Sequence, residues 1–111
     1  MNTYPQKTCE IYRLIRHPKL VEAALNGQKT QQRRDGIYAY PGEVFTLENV
    51  DFEIISVERR KLGEMTDLEA KAEGYPSLAV YKEVILKMHA NMEWNTDSLV
   101  WVHSFRRLQQ G

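Results

Sequence analysis

At 111 residues the chain is long enough for one hydrophobic core and too short for two ordinary domains, so residues 1–111 are read as a single domain. Hydrophobic residues make up 42% and charged residues 27%, the balance of a folded chain and not of a disordered one. Fifteen Lys and Arg offset fifteen Asp and Glu, and a formal net charge of zero argues against a protein that holds long duplex DNA by neutralising many phosphates.

The first seven residues, Met1 to Lys7, lack the apolar block of a secretory signal. No later apolar run approaches the roughly 20 residues that cross a bilayer, so no membrane partner is expected. Cys9 is the only cysteine and forms neither an internal disulfide nor, by itself, a metal site, which points to a reduced, cytoplasmic setting. From Cys9 to Arg16 the residues alternate imperfectly and predict a first strand. His17-Pro18 breaks it, and Lys19 to Asn26 reads as a short helix with Leu20, Val21, Ala24 and Leu25 on its inner stripe and Gly27 as its stop. The polar, cationic run Lys29-Thr30-Gln31-Gln32-Arg33-Arg34 follows directly. As a regular strand it sends Lys29, Gln31 and Arg33 to one face and Thr30, Gln32 and Arg34 to the other, and neither face resembles ordinary core.

Asp35-Gly36 and Tyr40-Pro41-Gly42-Glu43 are turn signals that bracket an apolar loop of Ile37, Tyr38 and Tyr40. Val44 to Glu48 alternates as a half-buried strand, Asn49-Val50-Asp51 is the connection, and Phe52 to Arg59 is its antiparallel partner. Thr66-Asp67-Leu68-Glu69 has capping-box spacing and opens a helix over Asp67 to Ala72. Ser77 caps a longer helix in which Leu78, Tyr81, Val84, Ile85 and Met88 form one stripe, read as core. Asn91 to Asp97 is a polar connection, and Ser98 to Phe105 is a last strand. This order predicts an α+β domain whose final strand closes a curled sheet. Charge is unevenly spread along it: residues 1–34 hold seven Lys or Arg against two Glu, and residues 42–73 hold four against nine Asp or Glu. A local cationic pocket for a nucleoside, a nucleotide or a short single strand is therefore compatible with the neutral total.

Several of these stretches together resemble an ASCH domain, a small relative of the PUA fold. They are Leu25 to Arg34 with its Gly27-Gln28-Lys29-Thr30 start, Tyr40-Pro41-Gly42-Glu43 before a strand, Leu62-Gly63 to Met88 with Ala72-Glu73-Gly74-Tyr75, and the strand through Trp101 to Phe105. The resemblance implies a PUA-like open β-barrel with flanking helices and a cleft for RNA or a modified nucleoside. One branch looks like amidohydrolases that remove an acetyl group from N4-acetylcytidine, and other members are linked to RNA binding or cleavage. That branch's Gly-x-Lys-Thr-x-Thr-x-Arg pattern falls on Gly27, Lys29, Thr30, Gln32 and Arg34, and its catalytic glutamate falls at Glu73. The chain departs at Gln32, where the branch has the threonine proposed to act in hydrolysis.

Hydrolysis of an amide needs a nucleophile, a proton acceptor and stabilisation of an oxyanion. Lys29 and Glu73 are the candidate catalytic residues. Lys29 shielded among apolar groups can lose basicity or stabilise the oxyanion, and Glu73 can orient water or carry a proton. Thr30, Gln32, Arg34 and Tyr40 are the candidate substrate contacts: a hydroxyl donor, an amide for a polar edge, a fork for phosphate and an aromatic wall. Arg33 is the weaker cation because alternation points it away from Arg34. Gln32 cannot act as a nucleophile, so recognition of RNA or a modified nucleoside is favoured over hydrolysis, with a ribonuclease or a non-catalytic protein-interaction domain as the further alternatives. His17, His89 and His103 are too dispersed for zinc, and no cofactor motif is present.

Overall fold

The computed structural model describes residues 4–89 and 93–108. Its strands are β1 (Gln31–Arg34), β2 (Val44–Leu47), β3 (Val50–Lys61) and β4 (Leu99–Arg107). They pair antiparallel throughout in the order β1-β4-β3-β2 and curl into an open half-barrel. Three helices flank it: α1 (Pro18–Leu25), α2 (Asp67–Glu73) and α3 (Leu78–Met88). This is the expected α+β, PUA-like architecture. The curl has a local cause, since the β3–β4 register slips between Ile54 and Ser56, and a bulge of that kind bends and twists the strand that carries it.

The main core fills one face of the sheet. Phe45, Phe52 and Phe105 meet there with ring centroids 5.5–5.7 Å apart, one pair stacked and two edge-on. Leu14, Ile15, Ala24, Ile37 and Ala39 close over them from α1 and the loops. Directly opposed residues of an antiparallel sheet share a face, so the rows are read from the register. Gln32, His103 and Val57 form one row on the core face, with Arg34, Trp101 and Arg59 beyond it. Arg33, Val102 and Glu58 form a row on the other face. A smaller cluster of Met65, Ala70 and Tyr81, with Tyr75 and Trp94 against it, packs between α2 and α3.

Three departures from the sequence reading have physical reasons. The expected strand over Cys9 to Arg16 is instead a 3₁₀ turn at Ile11–Arg13. Leu14 and Ile15 are adjacent and both buried, which a strand with its two-residue alternation does not allow on one core face. The expected three-residue connection is a two-residue hairpin at Glu48 and Asn49, because Leu47 already pairs with Val50. On α3 Tyr81 is buried and Leu78 and Ile85 pack half-buried against the smaller cluster, as expected of a core stripe, but Met88 at its end is 59% exposed. Periodicity marks the face a helix turns inward, and the last turn of α3 runs past the cluster that this face covers. The polar connection expected over Asn91 to Asp97 begins outside the described residues.

Glu48 and Asn49 both have positive φ, 47° and 70°, the geometry of a type I′ turn. A glutamate there is strained, since left-handed backbone costs roughly 1–2 kcal/mol for an ordinary L-residue. Replacing the pair by Glu48→Asn and Asn49→Gly should raise stability by about 1 kcal/mol. Urea unfolding of the double variant checks it, and an unchanged midpoint would contradict the turn.

Candidate functional site

The segment after α1 is fixed by its backbone before its side chains act. Gly27 takes φ 86°, and the amides of Gln28 and Lys29 both reach back to the Ala23 carbonyl at 3.0 Å. Thr30 then donates to Ala72 of α2 at 2.7 Å and accepts from the Phe105 amide of β4 at 3.0 Å. Residues 28–30 therefore stitch α1, α2 and β4 together, and β1 begins only at Gln31.

Lys29 precedes the strand, and its stem runs inward beneath α2. Its Nζ donates to the carbonyls of Gln31 (2.6 Å) and Glu73 (2.7 Å) and lies 3.8 Å from Glu73 Oε1. Glu73, the last residue of α2 before left-handed Gly74, is held by Arg33 through both oxygens: the Arg33 amide donates to Oε1 at 3.2 Å and Nη1 to Oε2 at 2.9 Å. Arg33 Nη2 donates to Glu69 Oε2 at 2.8 Å, and the other oxygen of Glu69 completes the Thr66 capping box. Lys29 and Glu73 are each only 1% exposed. Two cations thus face two carboxylates, and burial rather than any one partner dominates the chemistry of Lys29, pushing its amine down to about 8.

On the core face the contacts are different. His103 Nε2 accepts from the Tyr38 amide at 3.1 Å, which leaves Nδ1, 3.3 Å from the Gln32 carbonyl, to carry the proton of a neutral ring. Burial holds its pKa below the ordinary value. Gln32 donates from Nε2 to the Arg33 carbonyl, and its buried Oε1 meets no donor among the described residues. Arg34 donates to the Leu14 carbonyl at 2.6 Å and lies over the Tyr38 ring at 5.2 Å.

A cavity of about 190 Å³ opens beside this cluster. Phe52 and Phe105 form its buried aromatic floor and Ala24 and Leu25 an apolar wall. Exposed Asn26, Thr30, Arg106 and Arg107 surround the opening, and Lys29 contributes to the lining. Arg107 Nη1 donates to the Leu25 carbonyl at the end of α1, and Arg106 is paired with Glu53.

Among the sequence candidates, then, Lys29 and Glu73 come together, Thr30 presents an exposed side chain at the cavity, and Gln32 and Arg34 stand on the core face of β1. Tyr40 is elsewhere: it packs on Tyr4, its hydroxyl donates to the Pro5 carbonyl at 2.8 Å, and none of its partners lines the cavity. Trp94 packs edge-on against Tyr81 and is not part of the lining either. Arg33, set aside because of alternation, is the residue that clamps Glu73. The cavity residues Phe52, Phe105, Arg106 and Arg107 gave no motif, although the pair of arginines ending the last strand was a visible signal.

No family model and no curated protein matches the chain. Solved structures do share its fold. The crystal structure of an ASCH domain from Lactobacillus crispatus JV V101 superposes with a TM-score of 0.66 at 18% identity, over 79% of this chain and 69% of that one. That of an Enterococcus faecalis V583 protein with the family model DUF984 gives 0.60 at 15% identity, over 81% of this chain and 67% of that one. At these identities the likeness is one of architecture.

Removing one partner of a buried charge network leaves the other uncompensated, at about 3–5 kcal/mol. Glu73→Gln is expected to lower unfolding free energy by that amount, and Glu69→Gln, at the partly exposed end, by about 1 kcal/mol or less. Chemical denaturation of the two variants should show this order, and equal losses would refute it. Lys29 should titrate near 8, followed by NMR of its side chain. Its folded value lies below its unfolded value of 10.5, so the unfolded chain binds the extra proton and Lys29 makes stability rise with pH between about 8 and 10.5. The stability difference between the wild-type protein and Lys29→Met should grow across that window; a flat difference would count against it.

Proposed function

We propose that this ASCH-like half-barrel is a recognition module for RNA or a modified nucleoside, and that it seats one base in the cavity beside Lys29. The observation that carries the reading is the cavity itself, with its aromatic floor at Phe52 and Phe105 and its two arginines at the opening. Its volume is below the roughly 300–1,000 Å³ of sites for drug-sized ligands, which suits a single ring system. The Asn26 amide and Thr30 hydroxyl supply polar edges, and Arg107 supplies charge-assisted donors for a phosphate.

Recognition is better supported than turnover because the catalytic candidates are already engaged. The Lys29 amine is bonded to two carbonyls and both Glu73 oxygens are taken by Arg33. Gln32 stands where the amidohydrolase pattern has a hydroxyl. One observation favours hydrolysis of an N4-acylated cytidine as the second reading: an amine lowered to about 8 beside a carboxylate exchanges protons readily near neutral pH.

Titration with acetylated and unmodified nucleosides and short RNAs, read for binding by calorimetry and for product by mass, tests both. Binding without product is expected, weakened about tenfold in Arg107→Ala by loss of a charge-assisted contact of roughly 1.5 kcal/mol. Absence of binding across the panel, or binding indifferent to Arg107, overturns recognition in the cavity. Product that disappears in Lys29→Met replaces recognition with hydrolysis.

A further inference from the structure

We infer that the end of the sheet away from the cavity carries a second contact surface for single-stranded nucleic acid, so that the base seated beside Lys29 belongs to a chain and not to a free nucleoside. The inference rests on the reading of the cavity given above. Arg34, Trp101 and Arg59 lie in one row across β1, β4 and β3, and Leu99 and Lys61 are the next pair outward on the same face. The Arg59 guanidinium stands 5.7 Å over the Trp101 ring, and Arg34 stands 5.2 Å over Tyr38. Arg59 and Lys61 are exposed, and Leu99 is 44% exposed beside them.

Ion pairing divides the cations of this chain. Lys7 is paired with Glu43, Arg60 with Glu58, Lys87 with Glu83 and Arg106 with Glu53, whereas Arg13, Arg16, Lys19, Lys71, Lys82 and Arg107 meet no carboxylate within ion-pair distance among the described residues. Among the described residues, no carboxylate lies within ion-pair distance of Arg34, Arg59 or Lys61. A chain of zero net charge thus keeps three uncompensated cations together around an indole and a phenol. Cations beside aromatic faces suit a strand of nucleotides, whose phosphates take the guanidinium and ammonium groups and whose bases stack without regard to sequence. An acidic peptide would use the cations and leave the rings idle.

The spacing fits one ligand reaching both places. Trp101 and Arg107 share a face of β4 six residues apart, about 20 Å along a strand. A single small barrel of the OB type covers roughly 4–16 nucleotides, so a short oligonucleotide can touch the cavity and the row together.

The test compares a cytidine mononucleotide with oligocytidylates from dinucleotide to octanucleotide, on the wild-type protein, Arg59→Glu/Lys61→Glu and Arg107→Ala. Both positions of the double variant are exposed, and its melting temperature verifies the fold. The octanucleotide should bind at least about tenfold tighter than the mononucleotide, and the double variant should lose that increment while keeping mononucleotide binding. Its salt slope should fall by about 1.4, at about 0.7 per phosphate contact on a single strand. An octanucleotide that binds no tighter than the mononucleotide, or an increment that survives the double variant, overturns the inference. Octanucleotide binding that is lost in the double variant but unchanged in Arg107→Ala, with no mononucleotide binding, would keep the surface and remove the cavity.

Discussion

The buried contact among Lys29, Arg33 and Glu73 is the constraint on which the rest of this structure depends. It joins the segment after α1, the edge strand β1 and the last turn of α2, three pieces with little apolar surface of their own to share. β1 is four residues of glutamine and arginine, and nothing hydrophobic in it drives its placement. Its position is set by pairing with β4 on one side and by the clamp on Glu73 from the helix above. Glu69 extends the same network to the start of α2, so the carboxylates at the two ends of that short helix both answer to Arg33. Charge complementarity does here what apolar packing does between β3 and β4.

That arrangement also explains why the same residues read so differently in sequence and in space. The motif through Gly27, Lys29 and Arg34 was legible, and with it the helix stop, the capping box at Thr66 and the α+β order of elements. Period-two alternation correctly separated Arg33 from Arg34, yet it carries no record of what covers each face, and α2 roofs the face of Arg33. The failure over Cys9 to Arg16 was of another kind: Leu14 and Ile15 are buried side by side by tertiary contact with the sheet, and a local pattern carries no record of that. The cavity was the least legible feature. Its floor is made by Phe52 and Phe105, which are 53 positions apart in the chain and meet only through the β3–β4 register.

Burial and function pull on Lys29 in opposite directions. A lysine this enclosed is costly to charge, and the two carbonyls that hold its amine offset part of the cost. The same bonds turn it away from the neighbouring cavity, which the chain lines instead with Phe52, Phe105 and the Arg107 guanidinium, whose one hydrogen bond among the described residues goes to the Leu25 carbonyl. In that sense the buried charges organise the walls, and the exposed guanidiniums are left at the opening.

Thr30 shows what such a division allows. Its amide and carbonyl are both committed to the fold, one to α2 and the other to β4, while its side chain projects to solvent at the opening. Backbone bonds do not depend on the identity of the residue that makes them, proline aside. The position can therefore drift through mutation at little thermodynamic risk, changing the chemistry at the opening generation by generation while the scaffold beneath it stays unchanged.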